Sequence, residues 1–100
     1  MIVIAGRMRF DAAKLDHALA VLAPVVAATR TELGNVHYGY HVDLDDPSVL
    51  FLFEEWRDEA ALLAHFTMPY VVEFLDALPT LGMVEADVHR YEVTGKQPMS

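Results

Sequence analysis

Residues Val49 to Tyr70 read VLFLFEEWRDEAALLAHFTMPY, and this stretch decides the fold. Val49 to Trp56 is apolar at successive positions until Glu54-Glu55, as a strand buried on both faces is. Asp58 then stands where a helix N-cap belongs. On the short helix that follows, Leu62, His65 and Phe66 share a face. Pro69, after Met68, suits the first turn of a second helical segment, with Val71, Phe74, Leu75 and Leu78 as its buried stripe.

Upstream, Met1 to Met8 is a second strand apolar on both faces. Asp11 caps a long Ala/Leu segment in which Leu15, Leu19, Leu22 and Val26 fall at helical spacing. Pro24 lies inside that segment, where a proline costs about 3 kcal/mol relative to Ala and kinks the helix. Gly34-Asn35 is a helix stop. Val36 to Leu44 alternates, with Val36, Tyr38, Tyr40, Val42 and Leu44 on one face and His37, Gly39, His41 and Asp43 on the other. Asp45 to Ser48 is a turn. Downstream, Pro79 to Gly82 breaks the helix and Met83 to Val93 is a last, alternating strand. One domain over 1–94 and a free tail over 95–100 are expected.

The element order is strand, helix, strand, strand, helix, strand. Strands one and three, apolar on both faces, belong in the centre; strands two and four, each with a polar face, belong at the edges. That is the α+β, ferredoxin-like βαββαβ fold with antiparallel sheet order 4-1-3-2. Two helices cover only one face of such a sheet. The other face, with Val49, Phe51 and Phe53, calls for a partner, and a two-fold copy is the least demanding one. The 54% hydrophobic content of a 100-residue chain points the same way.

A net charge of −8 with seven Lys and Arg argues against nucleic acid and anionic membranes. The absence of cysteine removes disulfides, thiolate metal sites and thiol catalysis. The N-terminus lacks a signal-peptide pattern, and the longest apolar run, Ala18 to Ala28, is below the ~20 residues of a membrane span. A cytoplasmic protein is expected. The five glycines are scattered, so there is no phosphate loop or dinucleotide fingerprint. Ser48 and Ser100 have no His nearby in the pattern.

Three segments together carry a family resemblance: Glu32 to Tyr38 (ELGNVHY), Phe53 to Asp58 (FEEWRD), and Ala60 to Phe66 followed by Pro69. From the first strand to about Val93 the chain resembles the antibiotic biosynthesis monooxygenase (ABM) domain, and within it the small quinol monooxygenase-like proteins. The resemblance implies a dimeric α+β barrel of two ferredoxin-like sheets. It also implies cofactor-independent oxygenation of hydroquinones or polycyclic phenols, with Asn35, Tyr38, Glu54, Trp56 and His65 at the family's recurrent polar and aromatic positions. Tyr70 stands where many relatives have a second His. A haem-degrading branch of this fold is disfavoured, because Ile2 to Met8 holds no Asn and Pro69 to Leu78 no His.

Each candidate has two readings. Trp56 is either a core or seam Trp, or a pocket wall for an aromatic substrate. Glu54, on an apolar strand face, either pairs with Arg7, Arg30 or Arg90, or has a raised pKa and works with His65 as the catalytic base pair. His65 is either a satisfied core histidine or a general base. Tyr38, Asn35 and Tyr70 complete the expected substrate site. No metal is expected: on a strand, His37 and His41 stand roughly 13 Å apart, and His41 with Asp43 lacks a third ligand. The rival to a cofactor-free monooxygenase is a non-catalytic dimeric barrel serving as a ligand-binding or interaction module.

Overall fold

The computed structural model describes all residues from Met1 to Ser100. Four strands and three helices follow one another: β1 (Ile2–Phe10), α1 (Leu15–Thr29), β2 (Asn35–Val42), β3 (Val49–Trp56), α2 (Glu59–His65), α3 (Pro69–Ala77) and β4 (Met83–Glu92). Single 3₁₀ turns, Ala12–Lys14 and Leu78–Thr80, precede α1 and follow α3. The strands form one antiparallel sheet ordered β2-β3-β1-β4, the expected 4-1-3-2 order read from the other edge.

Local chemistry sets the boundaries. Asp11 Oδ1 accepts from the Ala13 N–H at 2.9 Å, and Asp58 Oδ1 accepts from the Ala61 N–H at 2.8 Å. After α1 the chain turns through Gly34 at φ +85°, a conformation that favours glycine. A Cβ added there would lie 2.6 Å from the Ala61 Cβ. The same turn anchors β3, since the Arg57 N–H donates to the Gly34 carbonyl at 2.8 Å.

All three helices lie on one face of the sheet. Pairing fixes which strand residues face them: Tyr38 opposite Glu54, Tyr40 opposite Leu52, Met8 opposite Leu50 and Ala86. The expected stripe of α1 is rotated. Ala18, Leu22, Val25 and Thr29 are buried, whereas Leu19 is exposed. Ala18 is small enough to let the helix approach the sheet closely, which turns Leu19 outward. Pro24 lies within α1, which continues past it. The 3₁₀ turn and α1 together make an 18-residue apolar stretch, Ala12–Thr29, docked on the sheet through those buried residues. On α3 only Val71 is buried, and Phe74 and Leu75, with Leu78 from the 3₁₀ turn that follows, wall a cavity instead.

The other sheet face carries no element. Phe51 is 45% and Tyr91 49% exposed there, flanked by the half-buried Val3, Ala5 and Phe53. In the C-terminal segment, Lys96 Nζ donates to Glu55 Oε2 at 2.7 Å.

Candidate functional site

Between the sheet and the helices lies a cavity of about 220 Å³. Its floor runs across the sheet from Tyr38 and Tyr40 through Leu52 and Glu54 to Met8, and on to Ala86 and Val88. Leu22, His65, Val71 and Phe74 close it from above. Phe66, Leu75 and Ala86, which line it and are exposed, mark its opening. Of the eighteen lining residues sixteen are hydrophobic; Glu54 and His65 are the exceptions. An apolar pocket with a few convergent polar groups is the usual form of a small-molecule site.

His65, the last residue of α2, is buried. Its Nδ1 lies 2.8 Å from Glu32 Oε2, and both side chains are only 5% exposed. With the Glu32 carboxylate accepting from Nδ1–H, the imidazole is held in the tautomer that leaves Nε2 with a lone pair. Nε2 has no hydrogen-bond partner in the chain, while the ring lines the cavity. The Tyr70 hydroxyl donates to the same Glu32 oxygen, and the second carboxylate oxygen is buried without a partner. Partial burial and this carboxylate push the Tyr70 phenol up to about 12.

Glu54 Oε1 accepts from Trp56 Nε1–H at 3.0 Å. Burial pushes its pKa up to about 7, the Trp56 hydrogen bond acts against this, and the nearby Glu32 carboxylate adds to it. Beside it, the Tyr38 and Tyr40 hydroxyls lie 3.4 Å apart. Burial raises the Tyr38 phenol far above its ordinary value and Tyr40 to about 12. Both phenols are therefore protonated hydrogen-bonding groups, while Glu54 shares its population between acid and carboxylate near neutral pH.

Several expectations need correction. His65 pairs with Glu32, not with Glu54. Glu54 has none of Arg7, Arg30 or Arg90 as a partner: Arg30 Nε donates to the Tyr38 carbonyl and Arg90 pairs with Glu59. Trp56 does not wall the cavity. It is 0% exposed at the end of β3, packed with Ile2, Tyr38 and Leu62, its ring 4.7 Å from that of His65. Asn35 is spent on the backbone, donating to the His37 carbonyl at 3.0 Å and the Glu55 carbonyl at 3.5 Å, where β2 is irregularly paired. Tyr70 lines a separate surface depression with Val21, Pro24 and Phe74. Tyr38, Glu54 and His65 do meet at the cavity. His37 and His41 lean together over Gly39, with ring centroids 5.9 Å apart despite their spacing along the strand. No cluster of three or more metal-ligating side chains exists.

Glu32 is the residue that sequence reasoning missed. It lies in the turn after α1, where no periodicity assigns it a face, and its partner His65 is 33 positions away.

The fold and cavity define a ferredoxin-like α+β protein with an apolar small-molecule pocket and a carboxylate-held histidine. The antibiotic biosynthesis monooxygenase family matches residues 1–77, and the chain belongs to that family. It is 30% identical over 98 residues to the uncharacterized protein sll1783 of Synechocystis, covering 98% of this chain and 67% of that one. With YcnE of Bacillus subtilis, named "putative monooxygenase", it shares 26% identity over 94 residues, covering 94% of this chain and 99% of that one. The crystal structure of a Deinococcus radiodurans protein titled "putative antibiotic biosynthesis monooxygenase" superposes with a TM-score of 0.88 at 26% identity, covering 100% of this chain and 99% of the other. Rv0793 of Mycobacterium tuberculosis shares the fold, with a TM-score of 0.85 at 21% identity and 97% and 98% coverage.

Proposed function

We propose that this protein is a cytoplasmic, homodimeric, cofactor-independent monooxygenase that oxidises a small hydroquinone or polycyclic phenol with O₂. The observation that carries the reading is His65: its Nδ1 is held by Glu32, and its Nε2 is unengaged on the wall of an apolar cavity. In that position Nε2 takes the phenolic proton, and the Glu32 carboxylate stabilises the imidazolium that forms. The resulting phenolate is electron-rich and passes electrons to O₂ directly. One oxygen atom replaces a ring C–H by C=O, the phenolic C–OH becomes the second C=O, and the other oxygen atom leaves as water. The Tyr38 and Tyr40 hydroxyls and the protonated form of Glu54 donate hydrogen bonds to the developing anion. The apolar walls exclude water from it. Trp56 acts from behind the site, by positioning Glu54 and packing on His65.

The uncovered sheet face supports the dimer. Phe51, Phe53, Val3 and Tyr91 give it an apolar centre that a second copy would bury. The alternative, a non-catalytic binding module, calls for a filled core and a closed Glu54 ion pair; an open cavity and an unpaired Glu54 favour the enzyme.

The test is oxygen uptake with a panel of reduced naphthoquinols and anthrols, each compared with its own autoxidation rate. Enzyme-dependent uptake that falls in His65→Ala, with the oligomer intact, is expected. A flat panel from the folded protein would move the assignment to the binding module.

A further inference from the structure

The polar groups of the cavity are all at one end. Tyr38 is their centre: its hydroxyl is 3.4 Å from that of Tyr40, its ring centroid is 5.7 Å from that of His65, and Glu54 is its pairing partner on β3. The remainder of the wall, through Met8, Phe10, Leu78, Leu81, Met83 and Val88, is hydrocarbon. We infer that the ligand is a flat aromatic molecule of about two fused rings whose oxygens stand on neighbouring ring carbons at one rim, the opposite rim being unsubstituted hydrocarbon. This deepens the phenol-oxidising reading, on which it rests, by narrowing the ligand to catechol-type phenols rather than para-hydroquinones; the placement of the oxygens follows from the cavity.

Size sets the first limit. At about 220 Å³ the cavity is smaller than the roughly 300–1,000 Å³ typical of sites for drug-sized ligands. Chemistry sets the second. His65 Nε2 accepts a hydrogen bond, both tyrosine hydroxyls donate or accept, and the Glu54 carboxyl does either according to its proton. Four such groups around one corner satisfy two adjacent oxygens. A molecule with oxygens at opposite ends would satisfy one there and press the other against hydrocarbon, losing its hydrogen bonds to water without replacement. That loss weakens binding by about tenfold or more.

Isomeric probes isolate the effect, because they share size and atoms. Calorimetric titration under anaerobic conditions, which prevents turnover, compares 2,3-dihydroxynaphthalene with 2,6-dihydroxynaphthalene. The 2,3-isomer should bind at least tenfold more tightly. Tyr40→Phe should shrink that ratio, and Val88→Thr, which adds a hydroxyl at the hydrocarbon end, should improve binding of the 2,6-isomer. Equal affinities, a reversed preference or binding of neither isomer would overturn the inference. Oxygen uptake separates it from the reading it rests on. A preferred 2,3-isomer in a protein with no oxygenase activity leaves this geometry standing and removes the monooxygenase. Turnover with a 2,6 preference does the opposite.

Discussion

Replacing Glu32 by Gln tests whether the turn after α1 takes part in catalysis. The change keeps the shape and removes the charge. Glu32 and His65 are each 5% exposed, so water screens their interaction little. A hydrogen bond to a charged partner contributes about 1.5–3 kcal/mol net. If His65 takes the substrate proton as proposed, loss of this bond from that state should lower turnover by about 10- to 150-fold. An amide at position 32 can also donate to Nδ1, which would put the imidazole proton on Nε2 and leave no base in the cavity. The drop should therefore appear in kcat, with KM little changed, since Glu32 does not line the cavity. The assay is oxygen uptake with the best substrate of the panel, alongside thermal melts to register any loss of fold. A folded Glu32→Gln protein with wild-type kcat would refute the orienting role and, with it, the argument that the histidine is poised.

Three further outcomes follow from the geometry. Burial raises the folded-state pKa of Glu54 from its ordinary value near 4.5 to about 7, so the folded state binds its proton more tightly than the unfolded state. That cost is absent below about pH 4.5, grows as pH rises and is complete above about pH 7, on the order of 3 kcal/mol; Glu54→Gln should flatten this part of the pH–stability curve, and an unchanged difference between pH 5 and pH 8 in urea melts would contradict it. Phe51→Glu puts a charge in the centre of the open sheet face, so sedimentation should find a dimer for the wild type, as proposed, and a monomer for the variant; a dimer unaltered by the substitution would locate the interface elsewhere. Gly34→Ala forces a side chain into a φ of +85° with its Cβ 2.6 Å from that of Ala61, and should cost ~2 kcal/mol or more; a neutral result in denaturant unfolding would mean that the turn relaxes freely.

The sheet order was legible because strand composition reports burial: a strand apolar on both faces can only be central, and Met1–Met8 and Val49–Trp56 are the two such segments. The caps at Asp11 and Asp58 and the proline at Pro69 were equally local signals. What failed was anything that depends on distance of approach. Helical spacing puts the stripe of α1 on its largest residues, but Ala18, a small one, is fully buried and the helix is rotated accordingly. A carboxylate on the apolar face of β3 and a histidine on the apolar face of α2 make Glu54 and His65 natural partners by pattern. Trp56, two residues further along the same strand face, reaches Glu54 first, and a turn residue from the far end of α1 reaches His65. The lean of His37 toward His41 has the same character: Gly39 leaves space between them that strand spacing does not reveal.

The buried polar groups of this corner argue that it is kept for function, and a double substitution makes the argument testable. Buried polar groups are nearly always satisfied. Here the two buried side-chain atoms without a partner are Glu32 Oε1 and Thr29 Oγ1, and Glu54, with its pKa raised by burial, interacts with the same Glu32. A fold selected for stability alone would fill the space with hydrocarbon, since replacing both partners of a buried hydrogen bond by apolar groups of similar shape is nearly neutral or stabilising. Breaking the pair from one side is different, because it leaves a buried polar group without its partner and costs about 1–3 kcal/mol, more where that group is charged. Glu32→Leu and His65→Leu should each lower stability singly. Combined they should restore it to the wild-type value or above, with the half-buried Tyr70 hydroxyl, deprived of its acceptor, turning to water. Denaturant unfolding of the four proteins closes the cycle. If the double variant is less stable than either single one, the pair is a structural support of the fold. If it is as stable as the wild type and devoid of oxygen uptake, the polar corner is held at a cost that only its chemistry explains.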